Sequence, residues 1–432
     1  MPNEEMLKVG HHVTRPGRKP GDSSVTITVA EGLETVPGIP THEEDVDFYS
    51  REYPLDTLNV DERASRDWGN RLRDLNPEMR AIRREHERLN RPLIEAGRLT
   101  GDLEPTAAPQ VGKDVTEDIR AKARELGFLE VGFTRYDKRY TYARMRSQVK
   151  FEHAICLAYE QDYEATQSIP SIPAEVVHSG TYRLEGAAGL QLCDFIRSLG
   201  YHAQQHSPND NTGAYIPMFV AAGLGQLGAN GLLLTPHAGA RNRLMLITTD
   251  AQVTYDQPVD YGIHAFCQVC QVCVNRCPGR ALMPTKIWWR GVQKNKLFFK
   301  RCRPVMANYL GCGICMKVCP IQKYGMATVM DHYVKTGEVL GKGTDALEGY
   351  TLEGKGYCGP GQLPVFDTAF FDMPHGRAED WAFEELVKKL KKVGGLQSEE
   401  GAKAIEEFKT KLTVALGLSD DILKMELEDY IT

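Results

Sequence analysis

The chain has 432 residues, of which 42% are hydrophobic and 25% are charged, as expected for a globular protein with a large buried core. Its net charge of −6 argues against nucleic acid as the main partner, because phosphate binding needs a concentrated basic surface. No run of the sequence approaches the roughly 18 apolar residues that a membrane-spanning helix requires.

The first 110 residues are polar and rich in proline, and they predict an arm that lies on a larger body. Within this arm, the highly charged stretch 61–97 predicts a helix. The N-terminus has neither a twin arginine nor an apolar core behind its basic residues. The sequence as written therefore predicts a cytoplasmic protein. The alternative is an exported, membrane-associated mature chain whose leader has been removed.

From residue 111 to residue 265, helical patterns alternate with apolar strand patterns, which indicates an α/β layer structure. The glycines that end the helical patterns are typical helix terminators. The predicted elements are a helix over 114–126 ended by Gly127, strands over 128–133, 153–159 and 243–250, and a helix over 184–199 closed by Gly200.

Residues 326–432 read as a mixed region that ends in two amphipathic helices with a glycine break at 394–395. The basic run from Lys388 to Lys392 predicts the solvated face of the first of these helices. Cys156 and Cys193 lie in apolar runs and are expected to be small buried side chains. Cys358 receives no assignment.

The remaining eight of the 11 cysteines lie between residues 267 and 319, too clustered for a disulfide framework in a chain this long. The first group, with CxxCxxCxxxCP spacing over 267–278, matches the bacterial ferredoxin pattern, whose fourth cysteine binds the other cluster. The second group, CxxCxxxCP over 312–320, lacks a cysteine at position 309, where Tyr309 stands. Cys302 is the natural replacement.

This spacing predicts two [4Fe–4S] clusters that use all eight thiols. The first would be bound by Cys267, Cys270, Cys273 and Cys319, and the second by Cys277, Cys302, Cys312 and Cys315. A structural zinc site is the alternative for any single CxxC pair, but two interlocked groups that each end in Cys-Pro disfavour it.

Gly223, Gly225 and Gly228 have the GxGxxG spacing of a dinucleotide fingerprint, with Asp250 about 20 residues further on. That fingerprint needs a strand before the glycines and a helix that opens at the last one. Here the preceding residues read as helix or turn, and a proline soon follows. The glycines therefore predict a tight loop that closely approaches either another chain segment or a large flat cofactor.

The order of "GLGQLGANGLLLTP", "GARNRL", "TTD" and the two cysteine groups resembles the cobalamin-dependent reductive dehalogenase family over about residues 115–325. The resemblance implies an α/β fold in which a nitroreductase-like core over 111–265 binds base-off cobalamin. It also implies a ferredoxin-like domain with two [4Fe–4S] clusters over 266–325. The glycine loop would line the corrinoid cavity. The chain lacks a DxHxxG motif, consistent with a cobalt that takes no histidine from the protein.

The resemblance further implies a tyrosine that supplies the proton replacing the halide, and Tyr182 occupies the matching place just ahead of the helix before the glycine loop. Arg241 is its candidate cationic partner, with Arg243 the competitor. A cation beside a phenol would lower the phenol pKa from about 10. Asn209 and Asn211 fall where the family places a polar residue near the substrate. The plain alternatives are an ordinary hydrogen-bonded tyrosine and turn asparagines.

Some residues leave the pocket's shape, and therefore the substrate, open. Trp288 and Trp289 either wall the pocket or pack against a cluster, and packing is favoured. Many members of the family carry a tryptophan between the isolated cysteine and the second group, whereas this chain has Met306 and Tyr309 there.

Three functions compete at this point. The first is reductive dehalogenation of a small organohalide. The second is an epoxyqueuosine-reductase-like reaction on a modified tRNA nucleoside, a family with an acidic residue near position 182, where this chain has Arg183 and Glu185. The third, a non-enzymatic two-cluster electron carrier, is disfavoured by the roughly 260 residues before the clusters, since the cluster motif itself needs far fewer.

Residues 326–432 contain no recognisable flavin or NAD module, so we expect electrons from an external low-potential ferredoxin or flavodoxin. A homodimer is an open alternative.

Overall fold

The computed structural model describes residues 7–12, 26–29, 77–138, 141, 143–206, 212–213, 215–289, 292–297, 299–366, 370 and 378–416. Its helices are α1 (Pro77–Leu99), α2 (Thr116–Glu125), α3 (Tyr163–Gln167), α4 (Ile172–Ser198), α5 (Ile216–Ala221), α6 (Ile263–Cys270), α7 (Val272–Asn275), α8 (Phe299–Asn308), α9 (Ile314–Lys317), α10 (Pro320–Tyr324), α11 (Met326–Thr336), α12 (Asp345–Glu348), α13 (Ala378–Lys392) and α14 (Glu399–Leu416). Its strands are β1 (Leu7–His12), β2 (Thr26–Val29), β3 (Phe128–Arg135), β4 (His153–Glu160), β5 (Ala203–His206), β6 (Gln226–Leu227), β7 (Leu233–Leu234), β8 (Asn242–Thr249), β9 (Leu282–Trp289), β10 (Val292–Leu297), β11 (Tyr350–Leu352) and β12 (Gly356–Cys358).

A four-stranded antiparallel sheet with the order β3-β4-β8-β5 forms the centre of the described structure. Both of its faces are covered, because alternate residues of a strand point to opposite sides. On β4, Ile155 and Leu157 pack toward the core formed with α2 and α4. Ala154, Cys156 and Ala158 pack toward the core formed with α5. The predicted mixed α/β layering of this region is confirmed, and its strands pair antiparallel.

Helix α4 is the long helix that carries the candidate tyrosine, and it begins 12 residues earlier than the pattern over 184–199 predicts. Its N-terminus is capped by Ser171, whose hydroxyl accepts a hydrogen bond from the Ala174 backbone N–H at 3.2 Å. It ends before Gly200, which has a φ of +94° and lies so close to the backbone of Pro109 that a side chain would clash. The predicted stop at this glycine therefore has both a conformational and a steric cause.

The charged helix α1 packs along α4 and against β5. Its position agrees with the prediction of an arm segment that lies on a larger body.

The cysteine groups lie on short helices joined by tight turns. Helix α6 ends at Cys270, α7 carries Cys273, and α9 carries Cys315. Within the described part of the chain, the non-glycine residues with positive φ are Gln271, Arg280, Leu310 and Cys312. All four belong to this segment, where the chain turns sharply enough to bring thiols together.

The two C-terminal helices α13 and α14 are separated by Gly394 and Gly395, both with a φ of +88°. On α13, Leu386, Val387 and Leu390 are buried. The lysines at 388, 389, 391 and 392 are exposed, so the predicted solvated face is confirmed. None of the described helices has the length and apolarity needed to cross a bilayer.

Candidate functional site

The eight clustered thiols form two buried sets. The Cys267 set (Cys267, Cys270, Cys273 and Cys319) lines a small internal cavity of about 20 Å³. The Cys277 set (Cys277, Cys302, Cys312 and Cys315) lies on the wall of a much larger cavity of about 520 Å³. The structure therefore groups the thiols in the two sets that their spacing predicts.

Burial makes it costly to ionise these thiols in the protein alone. It raises the pKa of Cys267 and of Cys312 to about 12, and that of Cys319 to about 11. Backbone N–H groups nevertheless point at several of the sulfurs, and the Cys277 sulfur accepts a hydrogen bond from Ala281 N at 3.3 Å. Each set therefore has hydrogen-bond donors that stabilise thiolate sulfurs. Because the thiols are buried, their ionisation becomes favourable only when a cation is bound to them.

The two sets are not arranged around a single ion. Over the described residues, no group of three or more His, Cys, Asp or Glu side chains converges as the ligands of one metal ion would. The four thiolates of a cubane each bind a different iron atom and therefore lie farther apart than the ligands of one zinc ion.

The large cavity has mainly apolar walls, and it is also lined by a set of polar side chains, here called the polar patch. The residues of this patch come from α4, from β8 and from the end of β4. They are Gln161, Glu175, His178, Tyr182, Asn242 and Arg243. A single cavity thus joins a cluster of titratable side chains to the Cys277 set.

Tyr182 lies within α4, not ahead of a helix as the resemblance implies. Glu175, His178, Tyr182 and Glu185 follow one another at intervals of three or four residues and therefore share one face of α4. The His178 and Tyr182 ring centroids are 5.3 Å apart. This face brings several proton-exchanging groups to the edge of the cavity.

The cation beside Tyr182 is Arg243. The Arg243 Cζ lies 5.1 Å from the centroid of the Tyr182 ring, and an Arg243 Nη2–H donates to His178 Nδ1. Arg241, the expected partner, lies in the turn before β8, where its guanidinium forms a buried ion pair with Glu160 and covers the Tyr163 ring at 5.2 Å. The pairing of Tyr182 with Arg241 is therefore wrong, because Glu160 engages Arg241 away from the cavity.

The expected lowering of the Tyr182 pKa is also wrong. Burial raises the pKa of Tyr182, and Arg243 opposes this effect without overcoming it. Burial and the adjacent Arg243 cation lower the pKa of His178 well below its usual value. At neutral pH the patch therefore holds a neutral phenol and a neutral imidazole beside a guanidinium. A neutral phenol can donate a proton.

Helix α1 adds residues to this patch that the sequence analysis missed. The His86 ring meets the Tyr182 ring edge-on at 5.6 Å, and His86 Nδ1 lies 3.2 Å from the Ser179 carbonyl oxygen. Arg83 lies near enough to lower the pKa of Tyr182. No local motif marks either residue, since both are almost 100 positions before Tyr182 and meet it only through the packing of α1 on α4.

Glu185 lies on the same face of α4 and is completely buried. Neither of its carboxyl oxygens has a hydrogen-bond partner among the described residues. Burial raises the pKa of Glu185 to about 8, with Arg243 opposing the shift. Glu185 does not line the large cavity, where the epoxyqueuosine-reductase-like alternative needs an acidic group.

The three glycines pack closely against other chain segments, and none of them lines the large cavity. A side chain at Gly223 would meet Gln257 O at 2.3 Å, and one at Gly225 would meet Leu234 O at 2.4 Å. A side chain at Gly228 would meet Asn230 and Leu234. Other chain segments therefore approach the Cα positions of these glycines closely, whereas their assignment to a corrinoid site stays a prediction.

The loop has a different position, between the two thiol sets. The Ala229 backbone N–H points at the Cys267 sulfur, and Asn230 Nδ2 donates to the Cys315 carbonyl oxygen at 3.3 Å. Helix α5 precedes Gly223, and Gly225 and Gly228 flank β6 of the β6–β7 hairpin, so the strand and helix of a dinucleotide fingerprint are absent here.

Some predicted residues lie outside what the structure describes. Asn209 and Asn211 belong to the undescribed stretch 207–211, and the side chains of Trp288 and Trp289 are not described either. Met306 lines the cavity. Tyr309 is buried with its ring against Phe366 at a centroid distance of 5.9 Å. The cavity wall thus carries a flexible thioether where many members of the implied family have an indole.

No protein-family model matches the chain. The tetrachloroethene reductive dehalogenase of Desulfitobacterium hafniense is 36% identical over 138 residues, 32% of this chain and 24% of the relative. The enzyme of the same name from Sulfurospirillum multivorans is 31% identical over 184 residues, 40% of this chain and 36% of the relative. The epoxyqueuosine reductase of Lactococcus garvieae (strain Lg2) is 35% identical over 126 residues, 26% of this chain and 34% of the relative. The chain thus spans 24% to 36% of the length of these relatives.

Solved structures of reductive dehalogenases share the fold. The catabolic reductive dehalogenase NpRdhA, in complex with 3-bromo-4-hydroxybenzoic acid, matches with a TM-score of 0.53 and 22% identity over 75% of this chain and 46% of that one. A reductive dehalogenase whose structure suggests a mechanism for B12-dependent dehalogenation matches with a TM-score of 0.53 and 22% identity over 69% of this chain and 44% of that one. The predicted resemblance to reductive dehalogenases and epoxyqueuosine reductases, both oxidoreductases, is confirmed.

Proposed function

We propose that this protein is a reductive dehalogenase, which replaces the halogen of an organohalide by hydrogen with electrons delivered through two [4Fe–4S] clusters to cobalamin. The observation that carries the proposal is a single cavity that joins Tyr182, with Arg243 over its ring, to the thiols of the Cys277 set. The proposed architecture is a nitroreductase-like core with a ferredoxin-like cluster domain, to which the local matches with reductive dehalogenases add support.

The thiol sets fit iron–sulfur clusters. Each set supplies four buried sulfurs, and backbone N–H groups of residues 229, 281, 314 and 321 point at sulfurs of one set or the other. Such hydrogen bonds stabilise the negative charge of a cluster and contribute to its reduction potential. The Cys277 set would hold the cluster next to the cavity, and the Cys267 set the one farther from it.

The large cavity fits a corrinoid in its chemistry. Gln161, Asn242 and Arg243 line it, and each retains a buried polar atom that has no hydrogen-bond partner among the described residues. The amide side chains on the rim of a corrin offer both donors and acceptors that would satisfy these atoms. Bound cobalamin would supply the low-potential electron chemistry that no protein side chain can provide.

The side chains of the polar patch perform the proton chemistry. Reduction of a carbon–halogen bond consumes two electrons and one proton and releases a halide ion. The neutral Tyr182 hydroxyl supplies the proton to the carbon, and Arg243 stabilises the phenolate that remains. His178, which accepts a hydrogen bond from Arg243, holds the guanidinium over the ring. The apolar walls exclude water, which would otherwise compete as a proton source.

A second candidate is an epoxyqueuosine-reductase-like reaction. It is supported by the local match to epoxyqueuosine reductase and by Glu175, an acidic side chain that lines the same cavity. Burial raises the pKa of Glu175, with Arg83 and Arg243 opposing this effect, so its carboxyl keeps a proton to a higher pH than an exposed glutamate does. The net charge of −6 disfavours the tRNA-sized substrate that this reaction would require.

The test is anaerobic purification with corrinoid and iron–sulfur reconstitution, followed by metal analysis and a halide-release assay. Reduced viologen would replace the proposed external ferredoxin or flavodoxin, and a panel of halogenated aromatic and alkene compounds would be supplied. We expect about eight iron atoms and one cobalt atom per chain, from the two-cluster assignment, together with halide release. The same metal content without halide release from any compound would favour the second candidate. Absence of bound corrinoid would overturn both.

A further inference from the structure

Tyr350, the first residue of β11, has a buried hydroxyl whose acceptor is missing. The residue is 1% exposed, and its hydroxyl oxygen has no hydrogen-bond partner among the described residues. Buried hydroxyls in folded proteins are nearly always hydrogen-bonded, because an unsatisfied one loses its interaction with water without replacement. The arrangement calls for an acceptor that the described part of the chain does not supply.

The Tyr350 ring is held in place by an arginine that immediately precedes a cluster cysteine. Arg276, also 1% exposed, lies with its Cζ 4.8 Å from the Tyr350 ring centroid. Its guanidinium donates to the backbone carbonyl oxygens of Glu348 at 3.2 Å and Cys358 at 2.9 Å, and to that of Gln362. Three hydrogen bonds from one side chain therefore clamp the segment 348–362 onto the chain next to Cys277.

This clamp places Tyr350 near the Cys277 set. Burial is the main cause that raises the pKa of Tyr350; Arg276 opposes it, and the neighbouring thiols of Cys358, Cys312 and Cys277 add to it. None of these sulfurs lies within hydrogen-bonding distance of the hydroxyl. An acceptor between the hydroxyl and the thiols would fill this gap, and a cubane carries sulfide ions in addition to the cysteine sulfurs.

We propose that the Tyr350 hydroxyl donates a hydrogen bond to a sulfur of the cluster bound by the Cys277 set, and that Arg276 positions the ring for this contact. The inference rests on the proposed cluster assignment. A hydrogen bond to cluster sulfur stabilises the more negative, reduced state and so raises the reduction potential. Tyr350 would thereby set how readily the cluster beside the cavity accepts and passes on electrons.

The test is Tyr350→Phe, which removes only the hydroxyl, in iron–sulfur-loaded protein without corrinoid. Redox titration monitored by electron paramagnetic resonance should show a more negative midpoint potential for one cluster and an unchanged potential for the other. The iron content should equal that of the parent protein.

Tyr261→Phe is the matched control, because Tyr261 is equally buried but donates its hydroxyl hydrogen bond to Gly223 O at 2.6 Å. This variant should leave both potentials unchanged.

The outcomes separate this inference from the proposed function. About eight iron atoms per chain with two unchanged potentials in Tyr350→Phe would overturn the inference and leave the function standing. Equal shifts in Tyr350→Phe and Tyr261→Phe would also overturn it. A selective shift in a protein that binds no corrinoid would support the inference and overturn the function. Parent protein that holds no iron would overturn both.

Discussion

The sheet region, residues 116–249, and the cysteine region, residues 262–324, are held together in different ways. The sheet region is stabilised by a core of its own apolar side chains. Among those that are completely buried are Ile155, Leu157, Met245 and Ile247. The cysteine region consists largely of short helices, including three of four or five residues, which have little stability by themselves. The cysteine region also has a buried apolar core, with Ile263, Phe266 and Ile314 among its members. We expect its short helices to depend in addition on what the thiols bind.

We expect the largest effect from a substitution that removes one thiol of the Cys277 set. Cys315→Ala should reduce the iron content from about eight to about four atoms per chain, because one cubane loses a ligand. Hydrogen exchange should then accelerate over the cysteine region and stay slow in β4 and β8. Iron analysis and hydrogen–deuterium exchange by mass spectrometry measure the two effects.

Cys193→Ala is the matched control, because Cys193 is completely buried in the sheet region and belongs to neither thiol set. It should keep the full iron content. Retention of about eight iron atoms in Cys315→Ala would contradict the ligand assignment and remove the proposed basis of the difference between the two regions.

The second prediction concerns Tyr182, a residue of the sheet region that lines the same cavity as the Cys277 set. Tyr182→Phe should lower dehalogenation turnover by roughly 10²- to 10⁴-fold, the usual contribution of a positioned proton donor, while both cofactors stay bound. Steady-state halide release and metal analysis provide the measurements. Tyr163→Phe is the control, since Tyr163 lies against Arg241 and outside the polar patch, and should retain turnover. Equal turnover in the parent and Tyr182→Phe would exclude Tyr182 as the donor.

The third prediction concerns Arg241, the arginine in the turn before β8, and its buried ion pair with Glu160. Arg241→Met should destabilise the protein by about 3–5 kcal/mol, because it leaves the Glu160 carboxylate buried without this cation. Anaerobic denaturant unfolding measures the loss. The double variant Glu160→Gln/Arg241→Met should recover much of it, whereas no recovery would show that the two side chains are not energetically coupled.

The last prediction concerns the pH dependence of stability at Glu185. Because its pKa is raised from 4.5 to about 8 in the folded chain, the folded state binds the Glu185 proton more tightly than the unfolded state does. The stabilising contribution is complete below the unfolded pKa and is lost as pH rises toward the folded pKa, at up to about 1.4 kcal/mol per pKa unit. In Glu185→Gln, the free energy of unfolding should therefore decrease less with rising pH over this range than it does in the parent protein.

Anaerobic urea unfolding at several pH values measures this slope. Glu353→Gln, at an exposed position, should leave the slope unchanged. An unchanged slope in Glu185→Gln would show that Glu185 has no raised pKa in the fold.

The local pattern of the chain predicts much of both regions. Strands β4 and β8 contain the apolar runs 154–159 and 244–247, and Gly127, Gly200 and the pair 394–395 end helices where the sequence analysis expects. The two thiol groups also follow the ferredoxin spacing, in which cysteines three positions apart line the same cavity and the last cysteine of each group lines the other one. These features depend on interactions between neighbours in sequence.

The tertiary structure decides what depends on distance and burial. Arg241 and Arg243 are two positions apart and equally plausible in sequence, and only the positions of Glu160 and α4 assign Arg243 to Tyr182. The direction of the Tyr182 pKa shift depends on how deeply the ring is buried, which no motif encodes.

Sequence by itself thus determines the elements, the spacing of the thiols and the family resemblance of this protein. The contribution of His86 from α1 and the buried hydroxyl of Tyr350 emerge only from the fold. The physical reason is that helical and strand periodicity are local properties of the chain. Desolvation and the pairing of distant charges exist only once the chain is packed.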